Sequence, residues 1–347
     1  MIFAARIFAC LPLLVSAGFA VLPANAAGLV LYVANGTSVN GYQLSHQNNS
    51  ALSAAGTLTP STPWTDAFAL TVDTSGDIYV ADAGANRIVE FNSSGVQTAV
   101  FNIPADGTAG GISPQEIALD SAGNLYVTSY DGVISKFASS NGARTTIETI
   151  PQARGIATDP INGETYVSTS GLGDVTLDSF TTGTRGAVNT VYTTGDYPDG
   201  QLRGVTLDVN NNIYLADSTW NANHGYIEKI TPGGVATTFI TGLDGPNALA
   251  IDGSNGADLY VADYFAGDVE EFALSDGDLV STVVSGLGNV SGIALSGGGL
   301  NTGEEPVFFG DIGHNAPEPA SAALLALALV LFAIAKFRRV RAIAPRR

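Results

Sequence analysis

The chain has a single cysteine, Cys10, close to its start. Everything after it is therefore without a disulfide or a cysteine-held metal. Histidine is almost as scarce. His46, His224 and His314 are far apart and form no H-x-x-x-H pair, so a histidine metal centre is not expected. No G-x-S-x-G elbow and no phosphate-binding loop occurs. Positive charge is the largest deficit. There are 14 Lys+Arg against 32 Asp+Glu, a net charge of −18. Half of the basic residues sit in the two end segments. Between residue 26 and Lys336 only Arg87, Lys136, Arg144, Arg154, Arg185, Arg203 and Lys229 remain, a net charge of −25 against the 32 acids. Such a surface repels phosphates, which argues against nucleic acid as a partner. A helical period of 3.6 is also missing between residues 28 and 315.

Long apolar runs occur only at the two ends. Residues 1–26 read as a secretory signal peptide: Arg6, an apolar stretch over 7–22, then Ala24-Asn25-Ala26 as an A-x-A cleavage pattern. Cys10 lies in the middle of the apolar stretch, which does not fit a lipoprotein signal. At the other end, Pro317-Glu318-Pro319 precedes an apolar run over 320–335 and a basic end over 336–347. A 16-residue helix spans about 24 Å at 1.5 Å per residue. That is short for a bilayer core of about 30 Å, so this single transmembrane helix needs snorkelling by Lys336 and local thinning. The arginine cluster keeps that end cytoplasmic. The expected organisation is a signal peptide at 1–26, one folded domain at 27–315 and a tail at 316–347.

The middle is repetitive. A strand built around Tyr-Val-Ala-Asp recurs with its aromatic residue at Tyr32, Tyr79, Tyr126, Tyr166, Tyr214, Tyr260 and, in a divergent copy, Phe308. The spacings are 47, 47, 40, 48, 46 and 48 residues. A more uniformly apolar strand precedes most copies, as in Leu70-Thr71-Val72-Asp73 and Leu249-Ala250-Ile251-Asp252. The link is a tight turn such as Thr74-Ser75-Gly76-Asp77, rich in residues that tolerate positive φ. A third, alternating strand follows, as in Arg87-Ile88-Val89-Glu90-Phe91, and then a looser fourth. Four short strands per period of 40–50 residues predict an all-β propeller of four-stranded blades. Six inner strands imply six blades, with the last inner strand, residues 293–296, completing the first blade and residues 307–311 left over. Seven blades is the alternative.

The segments 68–91 and 247–272 resemble NHL-repeat propellers. The tail resembles the PEP-CTERM sorting signal of Gram-negative bacteria in the order and spacing of its three parts. That second resemblance implies export, transient anchoring in the inner membrane and processing by signal peptidase and an exosortase. It also implies delivery to the cell surface or an extracellular polysaccharide matrix.

In a propeller the residue leading into each inner strand surrounds the mouth of the central channel. These positions are Phe68, Gln115, Arg154, Arg203, Asn247 and Ser291. The loops joining second and third strands open on the same face and carry Trp220, His224 and Tyr264. Gln115, Arg154, Arg203, Trp220, His224, Asn247 and Tyr264 are therefore the candidate ligand face, for a glycan or a surface protein. No catalytic residue and no cofactor is assigned. A divalent cation at Asp-rich turns such as residues 73–77, 252–258 and 276–278 is the alternative to plain turn chemistry. Residues 245–263 are also similar to a segment of gluconolactonase and regucalcin-like propellers, which implies a metal-dependent lactonase with Asn247 as one ligand. The arginines at 154 and 203 depart from that pattern, because they would oppose a metal's charge. A non-enzymatic binding or scaffolding module is the expected function, and the lactonase is the alternative.

Overall fold

A computed structural model of the chain describes residues 29–44, 53–103, 113–159, 161–171, 174–183, 185–194, 201–218, 225–252 and 258–296. All of them belong to one compact unit, Met1–Pro306. The signal peptide, the sorting motif Pro317-Glu318-Pro319, the apolar tail and the leftover strand at 307–311 lie outside the described residues.

The first three strands are β1 (Val30–Ala34), β2 (Val39–Gln43) and β3 (Ser53–Thr57). The second sheet holds β4 (Ala67–Val72), β5 (Ile78–Asp82), β6 (Arg87–Phe91) and β7 (Gln97–Asn102). The third holds β8 (Pro114–Leu119), β9 (Leu125–Ser129), β10 (Val133–Phe137) and β11 (Arg144–Thr149). The fourth holds β12 (Ala153–Asp159), β13 (Glu164–Thr169), β14 (Thr176–Thr181) and β15 (Asn189–Thr193). The fifth holds β16 (Leu202–Leu207), β17 (Ile213–Asp217), β18 (Gly225–Ile230) and β19 (Ala236–Leu243). The sixth holds β20 (Pro246–Ile251), β21 (Asp258–Asp263), β22 (Asp268–Ala273) and β23 (Leu279–Val284). The last strand, β24 (Gly292–Ser296), returns to the first sheet and pairs antiparallel with β1, from Val30↔Ser296 to Ala34↔Gly292.

This is a six-bladed β-propeller. Its inner strands β4, β8, β12, β16, β20 and β24 pack in a closed cycle around the axis. Ring closure by β24 gives β1 its partner and removes an open edge next to the core. Six hydrophobic clusters follow the same geometry, one at each seam between neighbouring blades. The apolar Tyr-Val-Ala strands are buried on both faces for this reason. Tyr126, Tyr214 and Tyr260 are among the largest fully enclosed side chains.

The tight turns behave as turn chemistry requires. Gly76 and Gly123 take φ of 82° and 75°, the left-handed region open to glycine. Asp73 Oδ1 accepts the N–H groups of Ser75 and Asp77 at 2.9 and 2.8 Å. Asp276 Oδ1 accepts from Asp278 at 3.2 Å. Residues 253–257 of the third Asp-rich turn lie outside the described residues.

Candidate functional site at the channel mouth

The mouth residues converge as their place in the repeat dictates. Phe68, Gln115, Arg154, Arg203 and Asn247 line one small void at the start of the inner strands, together with Glu116. Its volume is about 10 Å³. Below it the axis is filled by Leu70, Ile117, Ile156, Val205, Leu249 and Ile293, around a cavity of about 20 Å³. Each void holds about one water. The channel is therefore a packed core, and a ligand at this face rests on the mouth and does not enter the axis.

Hydrogen bonds from side chains of one blade to the backbone of the next hold the two arginines in place. Thr128, on β9, donates its hydroxyl to the carbonyl of Arg154 in the next blade. Ser168, on β13, donates to the carbonyl of Arg203 at 2.5 Å and accepts the N–H of Gly155 at 2.8 Å. Thr128 and Ser168 occupy the Ala position of Tyr-Val-Ala-Asp, so the sequence departs from its own repeat where the next blade brings an arginine. Glycine serves the same close approach. A Cβ on Gly155 would overlap the Arg203 carbonyl, and one on Gly204 would lie 2.8 Å from the Asn247 carbonyl.

Charge at the mouth is unbalanced. Arg154 donates to the Ala153 carbonyl at 3.0 Å, and its guanidinium lies 4.7 Å from the centroid of the Tyr130 ring. Arg203 donates to the Gln201 side-chain oxygen. The Nε of both arginines is buried with no hydrogen-bond partner among the described residues. No described carboxylate forms an ion pair with either one. Burial, then repulsion from Arg154, push the Arg203 guanidinium down to about 10. Burial lowers Arg154 as well. Two guanidinium groups without a carboxylate partner, under partial desolvation, have the chemistry to accept an anion. In blades two, five and six the second strand ends in a buried aspartate: Asp82, Asp217 and Asp263. In blades three and four that residue is Ser129 or Thr169, so no strand-end carboxylate stands opposite Arg154.

The other candidates differ in how free they are. Asn247 donates its amide to the Ser291 carbonyl at 2.5 Å, across the seam to the first blade. Gln115 donates to the backbone carbonyl and hydroxyl of Ser113 at 3.2 and 3.3 Å. Tyr264 accepts from the Asn289 amide at 2.9 Å and packs edge-on against Phe265. Trp220 and His224 lie outside the described residues. Two further members of the mouth were not singled out from the sequence. Tyr130 sits in the loop after β9, at the repeat position that Tyr264 holds in blade six. Glu116 occupies the position after the mouth residue, where the other blades have Ala69, Gly155, Gly204, Ala248 and Gly292. Its carboxyl group faces the enclosed axis, and burial pushes it up to about 8. No group of three His, Cys, Asp or Glu side chains placed to hold a metal occurs among the described residues.

No protein-family model and no curated protein sequence matches the chain. Solved structures do match its fold. The nidogen/laminin complex contains a chain that superposes with a TM-score of 0.65 at 19% identity, covering 79% of this chain and all of that one. The hydrazine synthase of Kuenenia stuttgartiensis superposes with a TM-score of 0.56 at 16% identity, covering 76% and 86%. An inactive virginiamycin B lyase from Staphylococcus aureus, solved with quinupristin, gives 0.50 at 19% identity, covering 65% and 73%. These likenesses extend to the fold alone. They include a chain from a protein–protein complex as well as enzymes, so the chemistry must be argued from the site.

Proposed function

We propose that this chain is an exported, NHL-like propeller that binds an acidic glycan at its channel mouth. The observation that carries this reading is the pair Arg154 and Arg203, two guanidinium groups at one mouth with no carboxylate ion pair among the described residues. A uronate carboxylate or a sulfate supplies the acceptors they lack, in the fork geometry that arginine favours. Tyr130 and Tyr264 offer ring faces and hydroxyls beside the arginines, and the Gln115 amide lines the mouth. The filled axis supports surface binding over enclosed chemistry, because enclosing ligand pockets run to about 300 Å³ or more.

Export by the signal peptide and surface delivery through the PEP-CTERM-like tail place this site where an extracellular polysaccharide is available. Signal peptidase and an exosortase are the processing partners in this scheme. The lactonase reading has less support, since Arg154 and Arg203 line the same void as Asn247 with no carboxylate ion pair among the described residues and would oppose a metal's charge.

The test is calorimetric titration of the purified protein with a uronate oligosaccharide and with its neutral counterpart. The acidic ligand binds, the neutral one does not, and Arg154→Ala plus Arg203→Ala abolishes binding. Equal binding of both sugars, or unchanged binding by the double variant, refutes the assignment.

A further inference from the structure

The seam between blades four and five differs from its neighbours. In each blade the tyrosine of the second strand faces one residue of the third strand directly across the ladder. The pairs are Tyr126↔Lys136 in blade three, Tyr166↔Ser179 in blade four and Tyr214↔Lys229 in blade five, while blades one, two and six have Gly41, Glu90 and Glu271 at that place. Lys136 and Lys229 hold their ammonium groups 5.4 and 5.2 Å from the centroids of those tyrosine rings. Lys136 also lies 3.8 Å from Asp120. Its Nζ is 3.3 Å from where a Cβ on Gly183, in the hairpin turn of the next blade, would be. The molecule thus shows twice what this niche accepts: a primary ammonium over a tyrosine face, and in blade three also beside a carboxylate and against the next blade's turn.

Blade four has the niche without the lysine. Ser179 is too short to reach over Tyr166. A groove of about 240 Å³ opens there, with Glu164, Tyr166, Ser179 and Val191 on one side and Asn211 and Gly234 of blade five on the other. Gly234 holds the place in its blade that Gly183 holds in blade four, the turn before the fourth strand. Among the described residues no Lys or Arg lines the groove. Glu164 is free for a further reason. The turn after β12 is one residue longer than those of blades two, three and five, and the Asn162 amide satisfies Asp159 Oδ2 at 2.7 Å. In blades three and five that task belongs to Asn124 and Asn212, at the position Glu164 occupies. The Oε2 of Glu164 is buried and without a hydrogen-bond partner among the described residues. Burial, then Asp159 and Glu164, raise the Tyr166 phenol, so the niche is electronegative.

We propose that the groove between blades four and five binds a primary alkylammonium group, which stands where Lys136 and Lys229 stand at the flanking seams. Glu164 accepts its N–H groups and the Tyr166 ring covers its charge. The site lies among the hairpin turns at the ends of the strands opposite the channel mouth, and it does not depend on the glycan reading.

Two ammonium sources are compatible with this chemistry, a free diamine and a lysine side chain. The test is ligand-observed NMR and calorimetry on the full-length protein with 1,5-diaminopentane, Nα-acetyl-lysinamide and the neutral 1,5-pentanediol. At least one ammonium ligand binds, and the diol binds at least tenfold more weakly. Binding of the diamine alone identifies a free polyamine as the ligand class; binding of the lysinamide identifies a lysine side chain. Glu164→Gln weakens the ammonium ligand at least tenfold. Ser179→Lys supplies the missing lysine from within, abolishes binding and leaves the thermal melt cooperative. Arg154→Ala plus Arg203→Ala leaves ammonium binding unchanged, which separates this site from the mouth. The proposal is overturned if neither ammonium ligand binds, if the diol binds equally well, or if both Glu164→Gln and a folded Ser179→Lys bind as the parent does.

Discussion

Replacing Arg203 with methionine is expected to stabilise the propeller while removing anion binding. Methionine keeps the packed stem and deletes a charge that the fold holds at a cost. That cost follows from the depression of the guanidinium from 12.5 to about 10. At ~1.4 kcal/mol per unit the full shift is worth about 3 kcal/mol. Partial solvent access at the mouth reduces this to about 1–2 kcal/mol. For a domain of this size 1 kcal/mol moves Tm by roughly 2–4 °C, so Arg203→Met should melt a few degrees higher. A base with a lowered folded-state value carries its penalty wherever it is charged in the folded state. The penalty is therefore complete below pH 10 and fades between 10 and 12.5, so the gain in Arg203→Met is constant across neutral pH. Arg154→Met relieves the same repulsion, and the double variant should gain less than the two singles combined. Urea denaturation of the four proteins, with and without a uronate ligand, measures each quantity. A loss of more than about 1 kcal/mol in Arg203→Met, with methionine's packing intact, shows that the guanidinium is neutralised in the fold. The anion site would then be refuted.

Other perturbations reach different parts of the molecule. Asp82 accepts two N–H groups, from Thr65 and Asp66, and two from Arg87, at 2.7–3.1 Å. Asp82→Ala strands the buried Arg87 and should cost about 3–5 kcal/mol in urea denaturation, with Arg87→Ala on top adding much less than it costs alone. Glu116 is held near 8, above its unfolded value, so stability falls as pH rises from 4.5 through 8. Glu116→Gln should flatten that part of a Tm-versus-pH curve. Gly155→Ala meets the Arg203 carbonyl and should cost about 1–3 kcal/mol. Gly186→Ala, with open space around it, should stay within about 0.5 kcal/mol by chemical denaturation.

The repeat made the architecture legible before any coordinate. Inner and second strands are covered by neighbouring blades on both faces, so their apolar runs stand out from the turns. The fourth strands do not. β7 alternates half-buried and exposed residues, and β15 and β23 have half or more of their residues exposed, so only a loose pattern marks them. β2 and β14, third strands with Asn40-Gly41 and Asp178-Ser179 at their centres, were not legible because those polar and glycine residues break the apolar alternation although the strands are largely covered. Five mouth residues could be placed from position alone, because each blade repeats the same lead-in to its inner strand. Glu116 escaped, since it lies one residue further along, where the side chain turns toward the axis. The blade-four groove escaped because it is defined by a side chain that is too short, and that becomes visible only when cross-strand partners are compared blade by blade.

Closure of the ring by β24 has a consequence for how such a chain is made. β1 and its partner are separated by about 260 residues, so the contact that seals the first blade is among the last that synthesis permits. Contacts this remote in sequence form slowly, because a long loop must close before they are rewarded. Until then β1 presents a bare apolar edge in whichever compartment holds the nascent protein. Under the export proposed above, the chain can seal itself only after nearly all of it has crossed, and any chaperone needed in that interval acts on the far side of the membrane.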